Sequence, residues 1–394
     1  MDAIVPYALG AAFVAALATN LLVPPVTRLA IFLRALDHPG ERKLQTGAVP
    51  RLGGVAIALG LALGGGAATL TCWHRLSALV GRGELLALLF GTGLVFLVGV
   101  VDDLIGVSAA KKFLFQILAG WMLVQAGWAF QVLRLPGIGE VDLGLFGVPL
   151  SLLWIVGVTN AINLIDGLDG LAGGVVTIIA VSFLGYASLQ GNPGTVILMA
   201  AVAGACVGFL RHNWEPARVF MGDSGSLTLG FLLAGTSIHS SLKAPAAVAI
   251  LVPILALGVP VMDTLLVMAV RFLDRPKSRV ADRFLRMFHA DRNHLHHLLA
   301  HFGGNRSRIV GVIYAVVLSF CALALVVAVT GETILGIVLV GLEFGVILSM
   351  RQMGLAMEAR RLARLQREEI KTEVLARTQP EPAAQVASVR RISR

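Results

Sequence analysis

Long apolar runs separated by short polar segments form the pattern of this chain from near its N-terminus to about residue 350. A helix that spans a bilayer needs about 20 predominantly apolar residues. We predict transmembrane helices at 4–30, 53–72, 84–101, 113–130, 148–162, 171–189, 194–210, 226–240, 246–270, 309–329 and 332–350. The predicted fold class is therefore all-α, a polytopic integral membrane helical bundle of about eleven transmembrane helices.

The composition agrees with a chain that folds in a lipid bilayer. Of 394 residues, 57% are hydrophobic and 14% are charged, and the mean hydropathy of +0.83 lies well above that of ordinary soluble domains. The first apolar run follows no positively charged segment and ends at Pro24 and Pro25 without a cleavage motif, so we expect a retained helix rather than a signal peptide. Cys72, Cys206 and Cys321 lack the spacing of a metal site and are expected to be structural.

The basic residues are concentrated in the segments on one side of the predicted helices. These segments are 31–52, 102–112, 163–170, 211–225, 271–308 and the C-terminal tail. Of the 32 Lys and Arg residues, all fall on this side except Arg75, Arg82, Arg134 and Lys243. The positive-inside rule therefore predicts that this side is cytoplasmic and that the N-terminus lies outside. Orientation and contact with anionic lipid explain the net charge of +9, so we expect no nucleic-acid partner.

Two regions of different character are predicted. Residues 1–352 form a transmembrane catalytic domain that includes the cytoplasmic loops. From about Met353 onward, charged residues alternate with Leu and Ala at helical spacing, and the end of the chain is rich in Pro, Ala and Ser. We therefore expect residues 353–394 to form a cytoplasmic amphipathic helix followed by a disordered tail.

Polar residues cluster in two of the cytoplasmic loops. Asp102 and Asp103 end a predicted helix and are followed by Lys111 and Lys112, although solvated carboxylates at a helix end would explain this pair equally well. The second cluster repeats amides and carboxylates at every third position, which is one face of a helical path. Its members are Asn160, Asn163, Asp166 and Asp169. So many polar groups are too costly for helix packing alone, so we predict a functional site.

Three further clusters lie in the other cytoplasmic loops. Asp223 precedes an apolar helix in a small-residue turn whose N–H groups would suit phosphate, although capping of that helix also explains Asp223 and Ser224. Three histidines lie close together without the thiolates of a structural zinc site, so anion binding explains them as well as metal binding does. They are His294, His296 and His297. The first loop adds the basic residues Arg42, Lys43 and Arg51.

Together, these residue types favour chemistry on phosphates. Carboxylates prefer a hard cation, and magnesium in proteins usually bridges a few carboxylates to substrate phosphates. Lysine and arginine would neutralise the phosphate charge. The residues alone therefore predict Mg²⁺-dependent phosphoryl or nucleotidyl transfer at the cytoplasmic surface of a membrane.

These motifs, in this order between about Asp37 and His297, resemble the polyprenyl-phosphate N-acetylhexosamine-1-phosphate transferases, glycosyltransferase family 4. The resemblance implies a multi-pass enzyme of the bacterial cytoplasmic (inner) membrane that uses Mg²⁺, with Mn²⁺ as the alternative. Such an enzyme transfers a sugar phosphate from a UDP-sugar to a polyprenyl phosphate and releases UMP, which starts the assembly of a surface or cell-wall glycan. A homodimer is compatible with the family.

The resemblance also implies roles for individual residues. Asp223 would be the main metal ligand, assisted by Asn163. Asp102 and Asp103 would lie beside the attacking lipid phosphate, and Lys112 near the diphosphate. Asp166 and His294 complete the implied catalytic set. The implied substrate-binding residues are Lys111, Asn160, Asp169, Asn213, Phe220, Arg42, Lys43, Arg51, His296 and His297, with Phe220 stacked on uracil and Asn213 and Asp169 near the nucleoside.

One motif distinguishes between branches of the family. The segment from Asn293 to His297 resembles the His-x-His-His loop of the N-acetylglucosamine branch. Enzymes that use UDP-N-acetylmuramoyl-pentapeptide carry three consecutive histidines followed by an acidic residue, and that pattern is missing here. We therefore expect UDP-N-acetylglucosamine as the donor, with the pentapeptide donor or another UDP-N-acetylhexosamine as the alternative.

Other functions explain some of the same features. An ion pathway would also use intramembrane acids, but Asp263 is the one clear carboxylate inside an apolar run and no second half of the sequence mirrors it. A lipid-phosphate phosphatase would not require a UDP-sugar, and an inactive scaffold is disfavoured because the motif acids are intact. The sequence does not choose between direct attack by the lipid phosphate and a two-step mechanism through a phosphorylated Asp102 or Asp103.

Overall fold

A computed structural model describes residues 3–37, 47–76, 81–135, 139–242, 249–273, 294–300 and 306–378. Its helices in chain order are α1 (Val5–Phe32), α2 (Gly53–Thr71), α3 (Trp73–Leu76), α4 (Arg82–Ile105), α5 (Ala109–Gln125), α6 (Gly147–Ile165), α7 (Leu171–Leu189), α8 (Pro193–Asn213), α9 (Gly222–Leu242), α10 (Leu251–Leu273), α11 (Leu295–Ala300), α12 (Arg306–Thr330) and α13 (Thr333–Thr378). Each predicted apolar run falls on one of these helices, which confirms the all-α fold of a polytopic membrane protein.

Two short antiparallel strand pairs accompany the helices. Strand β1 (Leu36–Asp37) pairs with β2 (Val49–Pro50), between α1 and α2. Strand β3 (Val132–Leu135) pairs with β4 (Gly139–Asp142), between α5 and α6. Within the described residues these pairs contain all of the extended structure, so the fold depends on helix packing.

Nine helices of the described chain are long and apolar enough to cross a membrane, which is two fewer than the predicted eleven. The other two are α5 and α9. Helix α5 has only 17 residues. Helix α9 contains many Ser, Thr and Gly residues, but almost all of its side chains are buried by neighbouring helices, so it needs no lipid-facing apolar surface. The count of eleven spans and the orientation of the termini stay predictions.

Two of the differences from the predicted helix bounds bear on the fold. Helix α5 covers Ala109–Gln125 rather than 113–130, because Gly106 ends α4 at a positive φ of 76° and Gly127 follows α5 at 91°. Helix α13 continues without a break through residue 352, where the sequence suggested a change from a membrane helix to an amphipathic one. The division into domains stays a prediction, and the predicted disordered tail from residue 379 lies outside the described residues.

Helix α9 lies at the centre of the bundle, against α2, α4 and α6. Glycines allow its first turn to approach two of these helices at backbone distance. A Cβ atom at Gly54 of α2 would overlap the backbone of Gly225, and one at Gly99 of α4 would lie 2.6 Å from the Cα atom of Ser224. The start of α9 is thus held between α2 and α4, and this contact positions the polar residues around it.

Candidate active site

The site lies where α4 and α6 end and α5 and α9 begin, an end of the bundle that we call the site face. The turn at Gly106 reverses the chain, so Lys112 in the first turn of α5 faces back toward the end of α4. The Nζ atom of Lys112 lies 2.8 Å from Oδ2 of Asp223 and 3.4 Å from Oδ2 of Asp102. One ammonium group therefore joins carboxylates from two helices.

Asn163 holds the other side of Asp223. Its Nδ2 atom, in the last turns of α6, donates to Oδ1 of Asp223 at 2.9 Å and to Oγ of Ser226 at 2.8 Å. The structure thus brings together Asp223 and Asn163, the two residues implied as metal ligands, with Lys112 beside them. Both carboxylate oxygens of Asp223 face a donor, as expected for a charged group at a partly enclosed position.

Asp103 caps the first turn of α9. Its carboxylate accepts hydrogen bonds from the backbone N–H groups of Asp223 (2.9 Å) and Ser224 (3.0 Å), and its side chain is buried. Gly222 has a φ of 71°, and a side chain there would meet this carboxylate. The sequence suggested Asp223 or Ser224 as the cap of α9, but in the structure the cap is Asp103 of α4. The carboxylate of Asp223 therefore faces Lys112.

Asp102 is the more accessible member of the acidic pair. Its Oδ1 atom accepts from the N–H of Val107 at 2.6 Å, and its Oδ2 atom faces Lys112. Arg51, predicted to bind substrate, donates from Nε to the carbonyl oxygen of Asp103 at 2.7 Å and from Nη2 to that of Asp102 at 3.4 Å. Arg51 therefore adds donors at the C-terminal end of α4, where a helix runs out of N–H groups for its last carbonyls.

Asp166 is placed just after α6, close to the other acids. Its side chain is half-buried and makes no hydrogen bond to the described residues. Burial, together with the negative charges of Asp223, Asp103 and Asp169, raises the pKa of Asp166 to about 7. A carboxyl group with this pKa becomes charged near neutral pH, and at a lower pH when a cation binds beside it.

Asp169 and Asn213 join the loop before α9 to the turn after α6. Oδ2 of Asp169 accepts from the N–H of Ala217 at 2.9 Å. The buried Asn213 amide accepts from the N–H of Gly170 at 3.0 Å and donates to the carbonyl of Val219 at 2.9 Å. These bonds shape the loop that carries Phe220, whose side chain is partly exposed. The predicted nucleoside contacts of Asp169 and Asn213 therefore come from groups that also hold the two loops together.

Asn160 lies one turn further into the bundle than Asn163. Its Nδ2 atom donates to Oε1 of Gln116 at 2.6 Å and to the carbonyl of Val156 at 2.7 Å. The structure thus places this predicted substrate-binding residue in an amide pair between α5 and α6. The sequence reasoning missed Gln116, although a polar side chain four residues after Lys112 in an apolar run was a usable signal.

The histidine motif is anchored by Asp263 of α10. Oδ2 of Asp263 lies 3.0 Å from Nδ1 of His294, and Oδ1 accepts from the N–H of Leu295 at 2.9 Å. Arg351 of α13 lies 4.0 Å from the same carboxylate. All three charged or titratable side chains are buried. The carboxylate inside an apolar run, which suggested an ion pathway, is therefore a local anchor for the start of α11.

His296 connects this motif to the site. A Cβ atom at Gly167 would collide with its imidazole ring, so the ring packs directly on the turn after α6. Lys111 is exposed beside Lys112. Arg42 and Lys43 lie outside the described residues, and so does the side chain of His297.

The donor set suits magnesium better than zinc. The described residues contain no group of three or more His, Cys, Asp or Glu side chains spaced to hold a metal by themselves. Instead, Asp102 and Asp223 already converge on one cationic group, the Lys112 ammonium, next to the amide of Asn163. Because Mg²⁺ typically takes one or two carboxylates and completes its shell with substrate phosphates and water, these residues fit it.

Comparisons with known proteins identify the family of the chain. The profile of glycosyl transferase family 4 matches residues 85–241, the segment that contains all the acids around Lys112. A probable undecaprenyl-phosphate N-acetylglucosaminyl 1-phosphate transferase of Bacillus subtilis is 35% identical over 318 residues, which are 80% of this chain and 84% of the relative. A decaprenyl-phosphate N-acetylglucosaminephosphotransferase of Mycobacterium tuberculosis is 35% identical over 76% of this chain and 77% of its own.

A phospho-N-acetylmuramoyl-pentapeptide-transferase of a Synechococcus strain is also similar, with 38% identity, but over only 54% of this chain and 59% of its own. The likeness to the Bacillus protein extends over most of both chains. On this identity and coverage, the chain belongs to glycosyl transferase family 4.

Proposed function

We propose that the protein transfers N-acetylglucosamine-1-phosphate from UDP-N-acetylglucosamine to undecaprenyl phosphate and releases UMP. The observation that carries this proposal is the convergence of Asp102, Lys112 and Asp223, from three helices, at the end of an apolar bundle. A lipid phosphate and a nucleotide diphosphate can meet there. The names of the Bacillus and Mycobacterium relatives specify N-acetylglucosamine and a polyprenyl phosphate, which supports the same pair of substrates.

In the reaction, an oxygen of the lipid phosphate attacks the β-phosphorus of the UDP-sugar, and the bond from that phosphorus to the UMP oxygen breaks. A phosphate monoester loses its second proton near pH 6, so the nucleophile is already charged and Asp102 need not remove a proton. The Lys112 ammonium would stabilise the charge that moves onto the UMP leaving group. Asp103 and Arg51 keep the ends of α9 and α4 in place while this happens.

The proposed cofactor is Mg²⁺, with Mn²⁺ as the alternative. Asp223 would hold it, with Asn163 and the accessible Asp102 beside it, since these are the oxygen-bearing groups gathered around Lys112. When bound, the ion supplies positive charge to the diphosphate and to the departing UMP. Asp166, which makes no hydrogen bond to the described residues, is the next carboxylate within electrostatic reach.

The proposed location is the cytoplasmic (inner) membrane, with eleven spans, the N-terminus outside and the site face cytoplasmic. Two facts support this location and orientation. The loops of the site face carry most of the Lys and Arg residues, as cytoplasmic loops do. A UDP-sugar is soluble whereas undecaprenyl phosphate is held by its tail, so a site at a membrane boundary serves both. The product would enter a surface or cell-wall glycan.

The direct test measures UMP release by the full chain in detergent with undecaprenyl phosphate, Mg²⁺ and UDP-N-acetylglucosamine. We expect release that requires the lipid and the metal, and loss of release in Asp223→Ala. Asp142→Ala, which changes an exposed carboxylate at the last residue of β4, serves as the matched control and should keep full activity. UDP-N-acetylmuramoyl-pentapeptide is offered in parallel. Turnover with that donor alone would overturn the substrate, and no UMP from either donor would overturn the transferase.

A further inference from the structure

A cavity of about 600 Å³ opens on the site face between α1 and the segment that joins α8 to α9. Its lining includes Asn20, Leu21, Arg211, Trp214, Glu215 and Arg218. None of the carboxylates around Lys112 lines it. It is therefore separate from the site described above, although it uses the same loop.

The cavity exists because two closely packed helices lose contact at this level. Helices α1 and α8 approach through small residues spaced by four, so that Cβ atoms at Gly204 and Gly208 would meet the carbonyl oxygens of Ala12 and Ala16. Further toward the C-terminal end of α1, Pro24 has no N–H to donate to the carbonyl of Asn20. Nε2 of His212 lies 3.2 Å from that carbonyl oxygen and 3.0 Å from Oδ1 of Asn20.

Beyond this contact α8 ends, whereas α1 continues to Phe32, and the space between them is the cavity. The N–H of Arg218 donates to the carbonyl of His212 at 2.9 Å, which folds the loop back over the end of α8. The two arginines of the lining, Arg211 and Arg218, are thereby brought to one opening.

The charge of the lining is positive. Arg211 and Arg218 contribute two guanidinium groups, and Glu215 is the acid among the lining residues. Oε2 of Glu215 accepts a hydrogen bond from Oγ of Ser307 at 2.7 Å, so this oxygen is directed toward α12. Two guanidinium groups that line one opening supply the charged donors that a phosphate accepts.

An apolar track leads to the same opening. Every fourth residue of α1 presents an exposed apolar side chain, with exposed fractions of 66% at Leu9, 68% at Phe13, 46% at Leu17 and 62% at Leu21. In a bilayer this stripe contacts acyl chains, and its last member lines the cavity. Trp214, which is 46% exposed, lies at the polar end, where indole rings prefer to sit at a membrane boundary.

We propose that this cavity binds the headgroup of an anionic phospholipid, with the phosphate between Arg211 and Arg218 and an acyl chain along the α1 stripe. Basic pockets between membrane helices at the cytoplasmic surface suit such headgroups. The N–H of Ala217, in the same loop, donates to Asp169 of the turn after α6. A bound headgroup therefore restrains a loop that also shapes the active site, whichever sugar nucleotide that site accepts.

The test uses the fluorescence of Trp214 in the full chain, reconstituted in bilayers that contain brominated phosphatidylglycerol or brominated phosphatidylcholine. Bromine quenches an indole only at contact, and Trp214→Phe identifies the part of the signal that belongs to this residue. We expect phosphatidylglycerol to be preferred at Trp214. The preference should fall by about fivefold for each arginine replaced, in Arg211→Gln and Arg218→Gln.

Arg28→Gln is the matched control, because Arg28 is an exposed arginine of α1 that does not line the cavity. It should keep the preference, and unfolding curves of all variants should coincide with that of the parent chain. Equal quenching of Trp214 by the two lipids would overturn the proposal. So would a variant with both Arg211→Gln and Arg218→Gln that keeps the preference of the parent chain for phosphatidylglycerol. Displacement of the lipid by inorganic phosphate would make it a soluble-anion site instead. Displacement by trace undecaprenyl phosphate would assign the cavity to the acceptor substrate. Either displacement would overturn the proposal that a phospholipid is the ligand.

Discussion

The ammonium group of Lys112 donates a hydrogen bond of 2.8 Å to the carboxylate of Asp223, across 111 residues of sequence. The preceding residue, Lys111, is exposed. Two adjacent lysines of the same helical turn therefore have different surroundings, and only one of them reaches the acids of the site. This difference makes the pair a sharp test of the proposed chemistry.

Replacement of Lys112 by alanine is expected to lower kcat/KM for UMP release by about 100-fold or more, the usual effect of removing one positioned donor to developing charge. Lys111→Ala is the control and should lose less than about threefold, because Lys112 and not the exposed Lys111 reaches Asp102 and Asp223, although the family resemblance gave Lys111 a substrate contact. Lys112→Arg should recover part of the loss. Equal losses in Lys111→Ala and Lys112→Ala would show that the contact with Asp223 has no part in catalysis.

Asp102 and Asp103 are expected to separate activity from stability. Asp103→Ala removes both acceptors from the start of α9, which should lower the free energy of unfolding by about 2 kcal/mol. Asp102→Ala removes one bond to Val107 and the contact with Lys112, both at a more accessible position, so it should unfold nearly as the parent chain does yet lose UMP release. Unfolding curves in detergent and initial rates measure the two effects. The reverse order would mean that Asp103, and not Asp102, faces the substrates.

The raised pKa of Asp166 predicts a pH dependence of stability. The folded protein favours the neutral carboxyl, so the stabilisation is complete below the ordinary aspartate pKa of about 3.9 and is lost as the pH rises toward a pKa of about 7. Without divalent cations, the Tm of the parent chain should fall between about pH 4 and pH 7 because of this group. Asp166→Asn should show a smaller fall, and Mg²⁺ should raise the Tm of the parent chain at the higher pH.

The close approach of α2 and α9 predicts opposite effects for two glycines of one helix. A Cβ atom at Gly54 would overlap the backbone of Gly225, whereas one at Gly66 would meet no atom within 4 Å. Gly66→Ala should therefore stabilise the chain by about 0.5–1 kcal/mol, the usual gain in a helix interior. Gly54→Ala should destabilise it and lower activity, because Asp223 lies in the turn that would have to move. Equal effects on the unfolding midpoint would contradict this packing.

Asp263 is expected to matter for stability although it lies outside the cluster around Lys112. Asp263→Ala removes the buried carboxylate that contacts Arg351, His294 and the N–H of Leu295, so it should cost about 3 kcal/mol. Asp263→Asn keeps an acceptor for Leu295 and should cost less. Thermal unfolding compares the two variants. No difference between either variant and the parent chain would show that α11 is held by other contacts.

Part of the site was predictable because several of its residues fall within one short motif. Spacing of three predicted one helical face for Asn163, Asp166 and Asp169, but α6 ends at Ile165. Asp166 and Asp169 therefore lie in the turn that follows the helix, and the helical path holds only as far as Asn163. What spacing left open was direction. Asn160 follows the same spacing, yet its amide donates to Gln116, because α5 packs against α6 at the position of Asn160.

The apolar runs by themselves determined the helices of this protein, because the length and hydropathy of a membrane helix are properties of a continuous segment. The motif acids and amides likewise indicated phosphate chemistry and the family. Only the tertiary structure decided which of two neighbouring acids caps α9 and which faces Lys112, since that depends on how closely Gly99 and Gly222 let α4 approach α9. A local pattern cannot contain this information. Asp103 and Asp223 each meet a helix more than 100 residues away in sequence, and Asp102 meets Lys112 across a turn whose direction is set by packing.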